Sequence, residues 1–173
     1  ALVNWLNAKL WDPRRKVFLD GVKKPADIEV LEEGLYSYNQ GPVLSALLET
    51  AEAGGRLSMN VNQRISETLD GIEEHFTVDF EVSSAEKVKI LRTHGNGDAG
   101  LFTGILARYL AQVALHHAVP ERERSRAASL VVQSADILWE GRREFDPDLP
   151  LNEDGIDVRE VRGEPVAVSY THL

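Results

Sequence analysis

Apolar side chains recur at helical spacing in five stretches of the chain. Leu2, Trp5, Leu6 and Leu10 predict a first helix over about residues 1–10. Asp12-Pro13 closes it, because proline pushes the residue before it out of the α region. Leu44, Leu47, Leu48 and Ala51 form the face of a second helix, which starts near Gly41-Pro42 and stops at Gly54-Gly55. Val61, Ile65, Leu69, Ile72 and Phe76 are spaced 4, 4, 3 and 4 apart, a narrow stripe on a third helix. Ser58 or Asn60 stands where it would be capped. Leu101, Phe102, Ile105, Leu106, Tyr109, Leu110 and Val113 give a fourth helix, about 98–118, a wide face that predicts deep burial. Ala127, Leu130, Val131, Ser134, Ile137 and Leu138 mark a fifth, about 121–140. Beyond Gly141 the pattern dissolves into an acidic, proline-containing stretch.

The connections alternate in length. Short turns join helix two to three and helix four to five, whereas roughly 20–30 residues join one to two and three to four. Loops this long are uncommon and usually functional. The first, about 12–37, holds a possible short strand at Val17-Phe18-Leu19 and the turn pair Asp20-Gly21; the second covers about 77–96. Odd-numbered helices start about 60 residues apart, and so do the two even-numbered ones. Such alternation places the long loops at one end of stacked antiparallel helix pairs, as in an α/α toroid or an α-solenoid. Helices two and four are the more apolar and form the expected inner layer, with their N-termini on the long-loop face.

Composition narrows the function classes. The net charge of −9, from 28 acidic and 19 basic residues, leaves no basic footprint for a nucleic acid. No apolar run approaches the roughly 18 residues that span a bilayer, so no membrane helix is expected. Cysteine is absent, which excludes disulfides and thiolate metal sites. The chain opens inside a helical pattern without an initiator Met, and is expected to be a piece of something longer.

The chemistry sits where the long loops deliver the chain into the inner helices. Tyr36-Ser37-Tyr38-Asn39-Gln40-Gly41 leads into helix two, and His94-Gly95-Asn96-Gly97-Asp98-Ala99-Gly100 leads into helix four. Amides both donate and accept, which suits sugar hydroxyls, and an aromatic face suits the C–H side of a pyranose. The plainer alternative is that Asn39 and Asp98 cap helices while Tyr38 packs.

Tyr38-Asn39-Gln40-Gly41 followed by an apolar helix resembles the Tyr-Asn-Gln-Gly motif of glycoside hydrolase family 76, the α-1,6-mannanases. Gly100-Leu101-Phe102-Thr103-Gly104-Ile105-Leu106-Ala107-Arg108-Tyr109-Leu110-Ala111 resembles that family's second motif, usually Phe-Lys-Gly-Ile-x-x-Arg-x-Leu. Trp5-Leu6, Asp20-Gly21 and Ser134-Ala135-Asp136 up to Trp139 fall where the family pattern places them, so the resemblance covers roughly 1–145. Thr103 departs from the usual Lys, which puts any role of that lysine in doubt.

The resemblance implies an all-α fold, an incomplete (α/α)6 barrel. It also implies endo-acting, retaining hydrolysis of α-1,6-mannan, in which one carboxylate attacks the anomeric carbon and a second serves as acid and then base. The family's catalytic pair is two consecutive aspartates upstream of the matched region. The chain contains no Asp-Asp dipeptide; its adjacent glutamates, Glu32-Glu33 and Glu73-Glu74, are not in that position. It is thus expected to supply groove residues without the catalytic pair. Asp20, Tyr38, Asn39, Gln40 and Asp98 are the candidate substrate-binding residues, with Phe102 and Arg108 structural. The implied partner is α-mannan or a mannose-containing oligosaccharide, and no cofactor or metal is implied. Two rivals stay open: a non-catalytic helical scaffold for a protein partner, and another (α/α)6 enzyme such as an epimerase or an unsaturated-uronide hydrolase.

Other constellations carry less. His116-His117 reads as favourable charge at a helix C-terminus, since adjacent helical side chains diverge. Glu73 and Glu74 read as a solvated outer face, and Arg122, Arg124 and Arg126 as a solvated helix start. The expected organisation is a glycoside hydrolase segment over 1–145 and an irregular acidic tail over 146–167. The hexapeptide Val168-Ser169-Tyr170-Thr171-His172-Leu173 resembles a translated sequencing adapter and is expected to be an artefact.

Overall fold

Residues 2–83, 86–93, 98–140, 143–145 and 158–160 are described in the computed structural model. Five helices form: α1 (Leu2–Lys9), α2 (Ser37–Glu52), α3 (Val61–His75), α4 (Asp98–Leu115) and α5 (Glu121–Glu140). The long connections are not bare loops. Trp11–Asp12 (β1) pairs with Val17–Phe18 (β2), and Gly21–Lys23 (β3) pairs with Val30–Glu32 (β4). Thr77–Ser83 (β5) pairs with Glu86–Leu91 (β6), and Arg143–Phe145 (β7) pairs with Val158–Glu160 (β8). These four antiparallel ladders overturn the expectation of an all-α, incomplete (α/α)6 barrel. The physical reason is clearest in β5–β6. Its residues alternate apolar and charged with period two, and the register sets Asp79 against Lys89 and Glu81 against Lys87. Both pairs close as ion pairs, at 3.2 and 2.7 Å, the cross-strand support that local β-propensity needs. The last ladder lies partly in the stretch expected to be irregular. Residues 168–173 lie outside the described residues.

The helices lie in two directions. Tyr38 meets Phe102 near the start of α2 and α4, Gly41 faces Tyr109 farther along, and Glu52 meets His116 at their ends. α2 and α4 therefore run parallel in contact along their length. Ser66 on α3 donates to Glu123 near the start of α5, and Arg126 reaches Asp70 and Glu73, so α3 and α5 also run parallel. The short turns make α2–α3 and α4–α5 antiparallel hairpins. Asn60 caps α3 by accepting from the Gln63 amide at 3.0 Å; Ser58 instead bonds to Asn4 of α1. The core is one cluster in which Leu44, Ile65, Leu69, Ile72, Leu110 and Val113 are fully buried. The wide face of α4 is covered on one side only: Leu106 is buried, while Leu101 and Ile105 are exposed.

Two surface expectations also change. Glu73 and Asp70 both accept from Arg126, at 2.9 and 2.7 Å, and Lys16 pairs with Asp70 at 2.8 Å. Glu73 and Arg126 thus join α3 to α5 instead of facing water. The same turn approaches α3 at a bare helix position. Lys16 adopts a left-handed backbone (φ 55°), and a Cβ on Gly71 would run into its carbonyl oxygen. Only glycine lets this turn lie on α3.

Gly71→Ala is accordingly expected to destabilise by about 1–3 kcal/mol, as overpacking against backbone does. Leu69→Ala, fully buried, is expected to cost about 2–5 kcal/mol. Chemical denaturation checks both; a Gly71→Ala midpoint equal to the parent's would show that the turn is free to move away.

Candidate functional site

The hairpin β1–β2 is fixed to α2 by one buried side chain. The Gln40 amide is fully buried. Its Oε1 accepts from the Phe18 amide at 2.8 Å, and its Nε2 donates to the carbonyls of Phe18 at 2.9 Å and Tyr36 at 3.0 Å. Gln40 thus acts as a short piece of β-ladder for Phe18 and as a tie across the first turn of α2. It does not reach the surface, unlike the groove role expected of it.

This attachment brings Asp20 over the start of α2. Asp20 Oδ1 accepts from the Tyr38 hydroxyl at 2.6 Å and from Asn39 Nδ2 at 3.0 Å. Asn39 is therefore no helix cap: the cap position is Tyr36, and the Asn39 side chain serves Asp20. The Tyr38 and Asn39 hydrogen bonds, in that order, hold the Asp20 carboxyl below the usual carboxylate range. The reciprocal effect pushes the Tyr38 phenol up to about 12, chiefly because its proton is held by the Asp20 carboxylate. The structure brings Asp20, Tyr38 and Asn39 into one hydrogen-bonded group. Asp98 opens α4, and its side chain lies outside the described residues, as does the whole stretch His94–Gly97.

Aromatic rings continue the surface beside this trio. Tyr36 and Tyr38 stack at 5.4 Å and 26°, and Phe102 of α4 meets the Tyr38 ring at 4.5 Å and 60°. Tyr36 and Phe102 also line a cleft of about 410 Å³ with Leu35, Ser37, Glu74, His75, Phe76 and Arg92. The starts of helices α2 and α4 thus meet at one end of the fold. Phe102, expected to be structural, is shared by the ring cluster and the cleft. Thr103, the departure from the usual Lys, is buried and donates its hydroxyl to the Arg92 carbonyl at 2.6 Å, fastening α4 to the end of β6. Sequence reasoning missed His75 and Glu74 as cleft residues. Their only signal was position, at the C-terminal end of the antiparallel α3. A cation could be shared elsewhere: among the described residues, Glu52, His116 and His117 approach one another at the opposite end of α2 and α4.

The family model described as glycosyl hydrolase family 76 matches residues 1–146. No curated protein matches the chain. Among solved structures, the GH76A α-1,6-mannanase from Salegentibacter sp. HEL1_6 is similar in fold, at TM-score 0.61 and 22% identity, covering 89% of this chain and 41% of that one. An inactive variant of that enzyme, substituted at two consecutive aspartates and bound to α-1,6-mannotriose, is similar at the same score, covering 95% and 44%. Another such variant, bound to α-1,6-mannotetrose, gives the same values. The chain therefore spans less than half the length of these structures.

The Asp20–Tyr38 pair has a spectroscopic consequence. A raised phenol pKa stabilises the folded state below the unfolded tyrosine value, near 10. That contribution is lost as pH rises through about 12. Resolved by NMR at Cζ, Tyr38 is expected to titrate near 12, and Asp20→Asn to return it toward about 10. An unchanged Tyr38 pKa in Asp20→Asn would show that the short hydrogen bond does not persist in solution.

Proposed function

This chain belongs to glycosyl hydrolase family 76, and we infer that it forms part of an endo-acting, retaining hydrolase of α-1,6-linked mannan. The observation that carries the reading is the hydrogen-bonded trio of Asp20, Tyr38 and Asn39 at the start of α2, flanked by Tyr36 and Phe102. Asp20 is exposed and has acceptor capacity left beyond its two bonds, which suits a sugar hydroxyl. Asn39 fixes the carboxylate's direction through Nδ2 and keeps its carbonyl oxygen as an acceptor for ligand. The aromatic group offers an apolar face to the pyranose C–H side. Asp98 would add a second carboxylate from the start of α4. Gln40 contributes indirectly, by holding Phe18, and through it Asp20, against α2. Mannose oligosaccharides in the similar structures support the substrate class.

Catalysis needs a nucleophile and an acid–base carboxylate in one groove. Here no pair of adjacent aspartates occurs in the sequence. Glu73 is held by Arg126 between α3 and α5. The chain is therefore read as a binding half that works with a catalytic pair contributed from elsewhere in the enzyme. Residues 1–145 make up that hydrolase segment in this reading.

Titration of the chain with α-1,6-mannotriose tests the groove. Asn39→Ala is expected to weaken binding roughly fivefold, the worth of about one neutral hydrogen bond, with little change in melting temperature. Gln40→Ala is expected to destabilise by about 1–3 kcal/mol, because it strands the buried Phe18 amide and carbonyl. Intact affinity with a much lower melting temperature in Asn39→Ala would reduce the trio to a fold element. The chain alone is expected not to turn over α-1,6-mannan; steady release of mannooligosaccharides would show that the catalytic carboxylates are among its own.

A further inference from the structure

The reading of His116 and His117 as helix-end charges rests on helical geometry, but α4 ends at Leu115 and both residues lie in the turn beyond it. There the two rings lie side by side, 5.3 Å apart and 6° from parallel. α2 ends at the same level, and Glu52 Oε1 lies 3.1 Å from His116 Nε2. The carboxylate approaches off the direction in which Nε2 would donate. That nitrogen is shielded from solvent and has no directed hydrogen bond, an arrangement that calls for an explanation in a folded protein. The other ring nitrogen, Nδ1, accepts only a long 3.3 Å bond from the Ala118 amide.

The ligand atoms of Glu52, His116 and His117 all lie within 4.8 Å of one another. Bonds of about 2.0–2.2 Å to zinc put tetrahedral nitrogen and oxygen ligands roughly 3.3 Å apart. The Glu52–His116 separation of 3.1 Å is already close to that edge, and the exposed His117 has only to turn inward. The three side chains border an open cleft of about 680 Å³ that Asn60 and Asn62 also line, which leaves room for a water as fourth ligand. Two helices end here, and their free carbonyls favour a cation.

We propose that Glu52, His116 and His117 bind a divalent cation of the zinc type, which ties the C-terminal end of α2 to that of α4. Two imidazoles and a carboxylate are the donor set that this ion accepts without redox chemistry. Coordination through His116 Nε2 leaves the remaining ring proton on Nδ1, so the Ala118 contact gives way when the ion enters. The site lies at the other end of the parallel pair from Asp20. The cation would therefore set the alignment of α2 and α4 and take no part in the sugar chemistry.

Zinc chloride titrated calorimetrically into the EDTA-treated chain tests this. One saturable equivalent is expected, together with a rise in melting temperature that EDTA reverses. Cobalt(II) in its place is expected to show visible bands of a four-coordinate site. His117→Ala and Glu52→Gln alter exposed side chains and are checked for parental helix content by circular dichroism. Each is expected to weaken zinc binding by at least about tenfold, a loss that changes even outside the ligand shell can reach. No saturable uptake by the parent chain, or a smaller loss in both variants, would overturn the site and leave Glu52–His116 as a close contact without a metal.

Discussion

The Gln40 side chain is the interaction on which the arrangement of the site depends. Its amide faces the backbone of Phe18 with both a donor and an acceptor, and uses its second N–H on Tyr36. No apolar residue could replace it without leaving buried peptide groups unpaired, and a shorter amide would not span the gap. With that contact made, Phe18 packs on Trp11 across the β1–β2 ladder, and Asp20, two residues on, lands over Tyr38 and Asn39. One buried polar group thus converts a tight hairpin into a platform for an exposed carboxylate.

Close backbone approach makes the rest possible. Gly41 lies one residue after Gln40, and a Cβ there would come within 2.6 Å of the Tyr109 ring. Its absence lets α2 and α4 run side by side, so that Tyr38 and Phe102 share one surface. Gly71 does the same on α3 for the Lys16 turn. The two glycines sit in helix interiors, where each costs about 0.5–1 kcal/mol relative to alanine. Packing offsets that cost. The ion pairs of Lys16 and Arg126 with Asp70, and of Arg126 with Glu73, then close the outer layer around the same turn.

Helix positions were legible because their apolar spacing is strong: the third helix was read from Val61 to Phe76 and runs Val61–His75. The start of α2 was read too late, at Gly41-Pro42, because the proline looked like a first-turn residue. In the structure Pro42 lies inside the helix, which begins at Ser37. Val17-Phe18 falls within the possible strand read at Val17-Phe18-Leu19; β1, β3, β4, β7 and β8 escape notice because they are only two or three residues long, and β5–β6 because its period-two alternation lies in a stretch read as a connection. At the site, Tyr38 and Asn39 were legible through the Tyr-Asn-Gln-Gly motif, and Asp20 through the separate Asp20-Gly21 match. The sequence could not tell that the neighbouring Gln40 points inward, since a buried amide and a ligand-binding amide are the same residue until their partners are seen. Glu73 was misread for a related reason: its partner Arg126 is 53 residues away.

The spacing along the chain of these contacts bears on how the molecule folds. Asp20 meets Tyr38 and Asn39 across 18 and 19 residues, and Phe18 meets Gln40 across 22. The contacts that join α3 to α5 span 53 to 57 residues. Loop closure grows more costly with length, though slowly, and short-range contacts are the faster to form. The hairpin and the first turn of α2 can therefore assemble as a local unit before the outer helices dock. The corner that carries Asp20 is thus held mainly by contacts local in the chain, and the layer behind it by contacts of long range.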